Sequence, residues 1–66
     1  MIWFFDREGQ RLRYEIRRTA DDQGYELEVS YPDGRTEVEQ MVEPSDLLQR
    51  CADLAKTLKA DGWRVG

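Results

Sequence analysis

Sixty-six residues, 39% hydrophobic and 36% charged, suffice for one domain (residues 1–66) with a thin core and exclude a second. A net charge of −4 and a pI near 4.7 weigh against a dedicated duplex nucleic-acid binder, which needs a basic surface. One cysteine excludes an intrachain disulfide, and the absence of histidine removes most zinc sites and the commonest general base.

Met1-Ile2-Trp3-Phe4-Phe5 is apolar on consecutive residues, aromatic-rich and too short for a helix, which predicts a strand. Asp6–Gln10 is a polar turn in which Gly9 can take a positive φ. Arg11–Arg17 then alternates, with Leu12, Tyr14 and Ile16 on one face. Asp21–Gly24 predicts a second turn, and Tyr25–Tyr31 alternates in the same way. Pro32–Arg35 predicts a third turn, followed by a weaker fourth strand over Thr36–Val42. Because a one-residue slip would turn the polar face inward, pattern constrains register. A loop at Asp21–Gly24 sets Ile16 against Val29, Tyr14 against Tyr31 and Arg17 against Glu28. An even third loop sets Val29 against Val38 and Tyr25 against Val42. It is preferred over a three-residue loop with a bulge at Gly34, which would oppose Val29 to Glu37 and Leu27 to Glu39.

A helix closes the pattern. Pro44 suits its first turn, with Ser45 and Asp46 beside the positive end of the dipole. Leu47, Leu48, Cys51, Leu54, Ala55 and Leu58 form one apolar stripe. Gly62 stands where a left-handed cap would end the helix, and Trp63 can fold back on Leu58. The expected fold is α+β: a four-stranded antiparallel β-meander followed by one C-terminal α-helix packed on one face (ββββα). Its core is expected to hold Leu12, Tyr14, Ile16, Leu27, Val29, Val38, Leu47, Cys51, Leu54 and Leu58.

The first strand does not fit a one-sided sheet, because Ile2, Trp3, Phe4 and Phe5 are apolar on both faces and one helix covers one face. A three-residue first loop puts Phe4 against Leu12 inside and leaves Trp3 and Phe5 outside beside Arg13 and Arg11. An even loop puts Phe5 against Leu12 and Trp3 against Tyr14 inside, and leaves Ile2 and Phe4 outside. Either way a bulky apolar pair stands on the helix-free face, as at interaction sites. The tail Trp63–Gly66 or an arginine stem is the competing cover. Ile2, Trp3, Phe4, Phe5, Arg11, Arg13 and Arg17 therefore form the candidate interaction face. A second copy of the chain is the first partner expected, since pairing would thicken a small core, and another protein the second. Single-stranded nucleic acid stacking on the aromatics beside Arg11, Arg13 and Arg17 is the alternative. Against it stand Glu26, Glu28, Glu37 and Glu39, read as one acidic row beside those arginines.

Those glutamates match no calcium-loop spacing and are read as a solvated face, with Glu28 opposite Glu39. Cys51 lies on the apolar stripe without an activating base and reads as packing. Ser30 and Ser45 lack a nearby base, and no glycine-rich phosphate loop occurs. No enzyme, no cofactor and no metal site is expected. With no apolar run near the ~18 residues of a membrane span and no secretory leader, the expected compartment is the cytoplasm.

The strings F-D-R-E-G-Q-R-L-R-Y-E and G-Y-E-L-E-V-S-Y-P-D-G, followed by a proline-started leucine helix ending D-G-W, resemble small uncharacterised bacterial proteins of this length. That resemblance implies no activity. In element order alone the chain is also similar to the four-strand-plus-helix repeat of the Pur-alpha and PC4-like group, which implies dimerisation and single-strand binding. The sequence points to a non-enzymatic interaction domain that self-associates as a homodimer through its apolar first strand.

Overall fold

In the computed structural model, which describes residues 1–66, the first hairpin pairs β1 (Ile2–Arg7) with β2 (Gln10–Arg18). Glu8 and Gly9 make its two-residue turn with φ of 52° and 80°, the conformation whose twist matches the flanking strands. The even register follows. Phe5 opposes Leu12 and Trp3 opposes Tyr14, so Ile2 and Phe4 point away from the helix.

β3 (Tyr25–Ser30) pairs with β2 two residues away from the expected register. Tyr14 meets Val29, Ile16 meets Leu27 and Arg17 meets Glu26. The turn is longer than Asp21–Gly24: the Thr19 N–H donates to the Gly24 carbonyl at 3.0 Å, and the Gly24 N–H to the Thr19 hydroxyl at 3.1 Å. Thr19 and Gln23 both donate to the Asp21 carboxylate, at 2.6 and 3.1 Å. These local bonds close a loop over 19–24 and end β2 at Arg18. A shift of two keeps every side chain on its expected face.

The third turn corrects the expectation more deeply. Tyr31 and Arg35 pair across Pro32-Asp33-Gly34, with Gly34 at φ 92°. Pro-Asp-Gly is the chemistry of a type I turn followed by a left-handed bulge residue. β4 (Thr36–Met41) is thereby set with Glu37 opposite Val29, Glu39 opposite Leu27, Val38 opposite Glu28 and Met41 opposite Tyr25. Val38 leaves the core and is 50% exposed. At the far end of β4 a side chain on Gly24 would meet the Met41 carbonyl oxygen at 2.6 Å, so the strand and the loop close there only with glycine.

α1 (Pro44–Ala60) is 17 residues, roughly 25 Å at ~1.5 Å per residue. Gly62 at φ 93° ends it: the Gly62 N–H reaches the Lys59 carbonyl at 3.1 Å and the Trp63 N–H reaches that of Leu58 at 2.9 Å. Trp63 is returned to the core, where it packs with Leu58. β5 (Arg64–Val65) then pairs antiparallel with Phe5 and Asp6 of β1, an element the alternation does not predict. The sheet order is β4-β3-β2-β1-β5, with four antiparallel strands, a short fifth and one helix on one face. Phe5, Leu12, Tyr14, Leu27, Val29, Leu54, Leu58 and Trp63 are the buried cluster, with Leu47 also buried. Ile16 and Cys51 are half-buried, and Phe5 and Trp63 belong to the core although the expected set omits them. No helix is long and apolar enough to cross a membrane.

Candidate functional site

The seven residues of the expected interaction face divide between the two faces of the sheet. Phe5 is 2% exposed on the helix side, and Trp3 lies half-buried there. Their rings stack on Tyr14, with centroids at 5.7 and 5.0 Å, so the three aromatics form one slab on the helix side of the sheet. Burial pushes the Tyr14 hydroxyl above its usual 10.0. Ile2 and Phe4, at 48% and 37% exposure, stand on the opposite face beside Arg11, Arg13 and Arg17.

Those arginines are occupied. Arg11 makes a fork to Asp6, Nε to Oδ1 at 2.8 Å and Nη2 to Oδ2 at 3.1 Å, while its guanidinium lies 4.9 Å from the Phe4 ring centre. The donated hydrogen bond holds the Asp6 carboxyl below the usual 3.8. Arg13 and Arg17 both donate to Glu15, at 3.2 and 3.1 Å. Arg17 also donates to Glu28 at 3.0 Å and lies 3.5 Å from Glu26. The Gln40 amide donates to Glu26 at 3.3 Å. Arginine and glutamate alternate over the middle of this face, a lattice of partly exposed pairs that fixes side chains more than it stabilises the fold. Around it, apolar surface is confined to Ile2 and Phe4 on β1 and to Val38 on β4.

The acidic row does not assemble. Glu26 and Glu28 face outward, but Glu37 and Glu39 stand on the helix side because β4 is shifted by one residue. There Arg50 Nε donates to Glu39 Oε2 at 2.7 Å, and the Tyr31 hydroxyl donates to Glu37 at 3.3 Å. Glu28 faces Val38, not Glu39, so the like-charge opposition disappears. No group of three or more His, Cys, Asp or Glu side chains converges where a metal ion could sit.

Cys51 is half-buried on the helix, and desolvation pushes its thiol above the usual 9.0. It is a poorer nucleophile for that. Arg7, which pattern reading leaves in the first turn, joins strand to helix: Nη1 donates to the Asp61 carbonyl at 2.9 Å and the guanidinium lies 4.5 Å from the Trp63 ring centre. A cation at a helix C-terminus is the one signal by which sequence could have found it.

The open part of β1 is its first half. Met1 exchanges both backbone bonds with Ile16 and its side chain is largely exposed. On the far side, β5 pairs with Asp6 and Phe5, and the Gly66 N–H donates to the Phe4 carbonyl at 2.8 Å. Below that bond the backbone of Ile2 faces no strand. The tail thus covers the upper edge of β1 and leaves its outward face bare. No protein-family model, curated protein or solved structure matches the chain.

Proposed function

We propose that this chain is a non-enzymatic interaction domain that self-associates through Met1 and the first half of β1, Ile2–Phe4. The observation that carries the reading is the placement of Ile2 and Phe4 on the helix-free face at 48% and 37% exposure, beside an unpaired length of strand edge. Apolar groups on both faces of an open strand end favour a like surface over water. A two-fold contact lets each copy supply the same strand to the other. A standard interface takes about 800 Å² from each partner, about a sixth of the 4660 Å² this chain exposes. Ile2 and Phe4 would be its centre, and the Arg11, Arg13 and Glu15 side chains beside them its polar rim.

Sedimentation of the purified chain over a concentration series tests this. A dimer is expected, and Ile2→Lys or Phe4→Lys, which touch no buried side chain, should shift it to monomer by tenfold or more in concentration. A monomer up to on the order of 1 mM, or a dimer indifferent to both substitutions, ends the reading. Single-strand binding draws on Phe4 with Arg11, Arg13 and Arg17, whose guanidinium groups already hold carboxylates. Titration with a fluorescent oligonucleotide at low salt, where phosphate attraction is greatest, tests that alternative; saturable binding there would replace self-association as the leading function.

A further inference from the structure

β4 is an edge strand whose outer side has no partner. Tyr31 and Arg35 form a hydrogen-bonded pair at the hairpin, so by antiparallel alternation Glu37 and Glu39 also bond to β3. Thr36, Val38 and Gln40 therefore direct their N–H and C=O groups outward over the whole length of the strand. Edges of this kind are normally blunted by proline, lysine, a bulge or inward-pointing charges. Thr36–Met41 has only the last, in Glu37 and Glu39, which repel an anionic or apolar strand but not a cationic one. Proteins that recognise extended peptides use such an edge as a template for one more strand.

The side chains beside this edge select what pairs with it. Between β4 and the first turns of α1 runs an open groove of about 500 Å³, lined by Glu39, Gln40, Met41, Asp46, Gln49, Arg50 and Asp53. Three carboxylates face one guanidinium there, and that guanidinium is taken by Glu39. In an added antiparallel strand, positions opposite Glu37 and Glu39 would be the non-hydrogen-bonded ones, where side chains approach most closely. A second copy of β4 is a poor occupant. The register centred on Val38, which uses the full strand, would oppose Glu37 to Glu39 twice.

We propose that the free edge of β4 binds an extended segment of a partner protein carrying Lys or Arg at alternate positions, by addition of a strand to the sheet. The backbone of Thr36, Val38 and Gln40 supplies the ladder. Glu37, Asp46 and Asp53, none of which forms a salt bridge, supply the preference for cationic side chains, while Glu39 stays paired with Arg50.

The test is titration of the full chain with a blocked peptide alternating Thr and Lys. Controls are the Thr/Glu counterpart and the Thr/Lys peptide N-methylated on the amides that would join the ladder. Binding of the Thr/Lys peptide alone is expected, weakening several-fold between ~50 and ~200 mM salt. Saturation should slow hydrogen exchange at the Thr36, Val38 and Gln40 amides by about tenfold or more. Val38→Pro removes an outward N–H without breaking a β3 bond and should weaken binding at least about tenfold. No binding at low salt overturns the proposal. So does binding that survives N-methylation or leaves the three amides unprotected, since charge alone would then explain it. These readouts concern β4 and stand whether or not β1 pairs two copies.

Discussion

β1 and β4 are each six residues long, lie in one sheet and adjoin a tight turn at one end, yet they are held by different forces. β1 has strands on both sides, buries Phe5 completely and half-buries Trp3, and its last residue, Arg7, ties the sheet to the end of the helix. β4 has one neighbour and buries no residue, although Met41 packs partly on the core. Its attachment is a ladder to β3, an ion pair to Arg50, a hydrogen bond from Tyr31 and one from Gln40 to Glu26. Apolar burial anchors one side of the sheet, and hydrogen bonds with screened charges anchor the other. The anchored side still carries unburied apolar surface, whereas the loosely held side offers unpaired backbone.

The strongest way to break this contrast is truncation of a core ring. Phe5→Ala should cost about 3–5 kcal/mol, which equals the ~3–5 kcal/mol that a core of this size supplies, and the chain should be unfolded by circular dichroism. Val38→Ala, at the half-exposed apolar residue of β4, should stay within ~0.5 kcal/mol in urea unfolding. Equal losses at the two sites would mean that β4 is held by burial after all. Next in size is Arg7→Ala, which removes a charged donor from the helix end and the cation over Trp63, about 1–2 kcal/mol together. The matched change Arg50→Ala removes a surface ion pair and should cost ~0.5–1 kcal/mol.

The smallest effect sharpens the electrostatic side of β1. Arg11 holds the Asp6 carboxyl below its unfolded 3.8, so its contribution is present above that pH and is lost as pH falls through 3.8 toward the folded value. Asp21 behaves alike, held low by the Thr19 hydroxyl and the Gln23 N–H. Urea midpoints should therefore decline between pH 5 and pH 3, and Asp6→Asn should flatten part of that decline; an unchanged slope in the variant would remove Asp6 from the account.

Much of this molecule is legible in its alternation. The first turn with Gly9, the place of the third turn but not its length, the apolar faces of β2 and β3, the Gly62-Trp63 stop and the helix stripe except Leu48, which is exposed, are where residue type and spacing place them. The four main strands and the helix follow from periods of 2 and 3.6 together with turn chemistry. Registers were harder to read. The β2–β3 pairing moved by two because the Thr19 hydroxyl and the Asp21 carboxylate, polar groups close in sequence, built a longer loop than the glycine signal marks. The β3–β4 pairing moved by one because matching Val29 with Val38 assumes that strand four must bury its valine. At a sheet edge that assumption fails. Pro32-Asp33-Gly34 sets the register, and Glu37 and Glu39 are accepted on the helix side by Tyr31 and Arg50.

The candidate surface was legible in the same partial way. That β1 exposes apolar groups away from the helix follows from four consecutive apolar residues and a single covering helix. Which pair faces out depended on whether the first turn held two residues or three, and the positive φ of Glu8 with Gly9 decided it. The pairing of Arg17 with Glu28 was readable from the alternation, whereas the partners of Arg7, Arg11 and Arg50 and the fifth strand were not. The meander order of the four main strands follows from turn spacing, but most ion pairs and the docking of the C-terminal tail depend on which distant segments the chain brings side by side. Local pattern records only how each segment wants to be buried. Residue order on its own thus determined the elements and the wet and dry faces of β2 and β3, since those follow from side-chain periodicity within a few residues. Packing across the sheet decided registers, the place of the C-terminal strand and most side-chain partners, because contacts between segments far apart in the chain have no local signature.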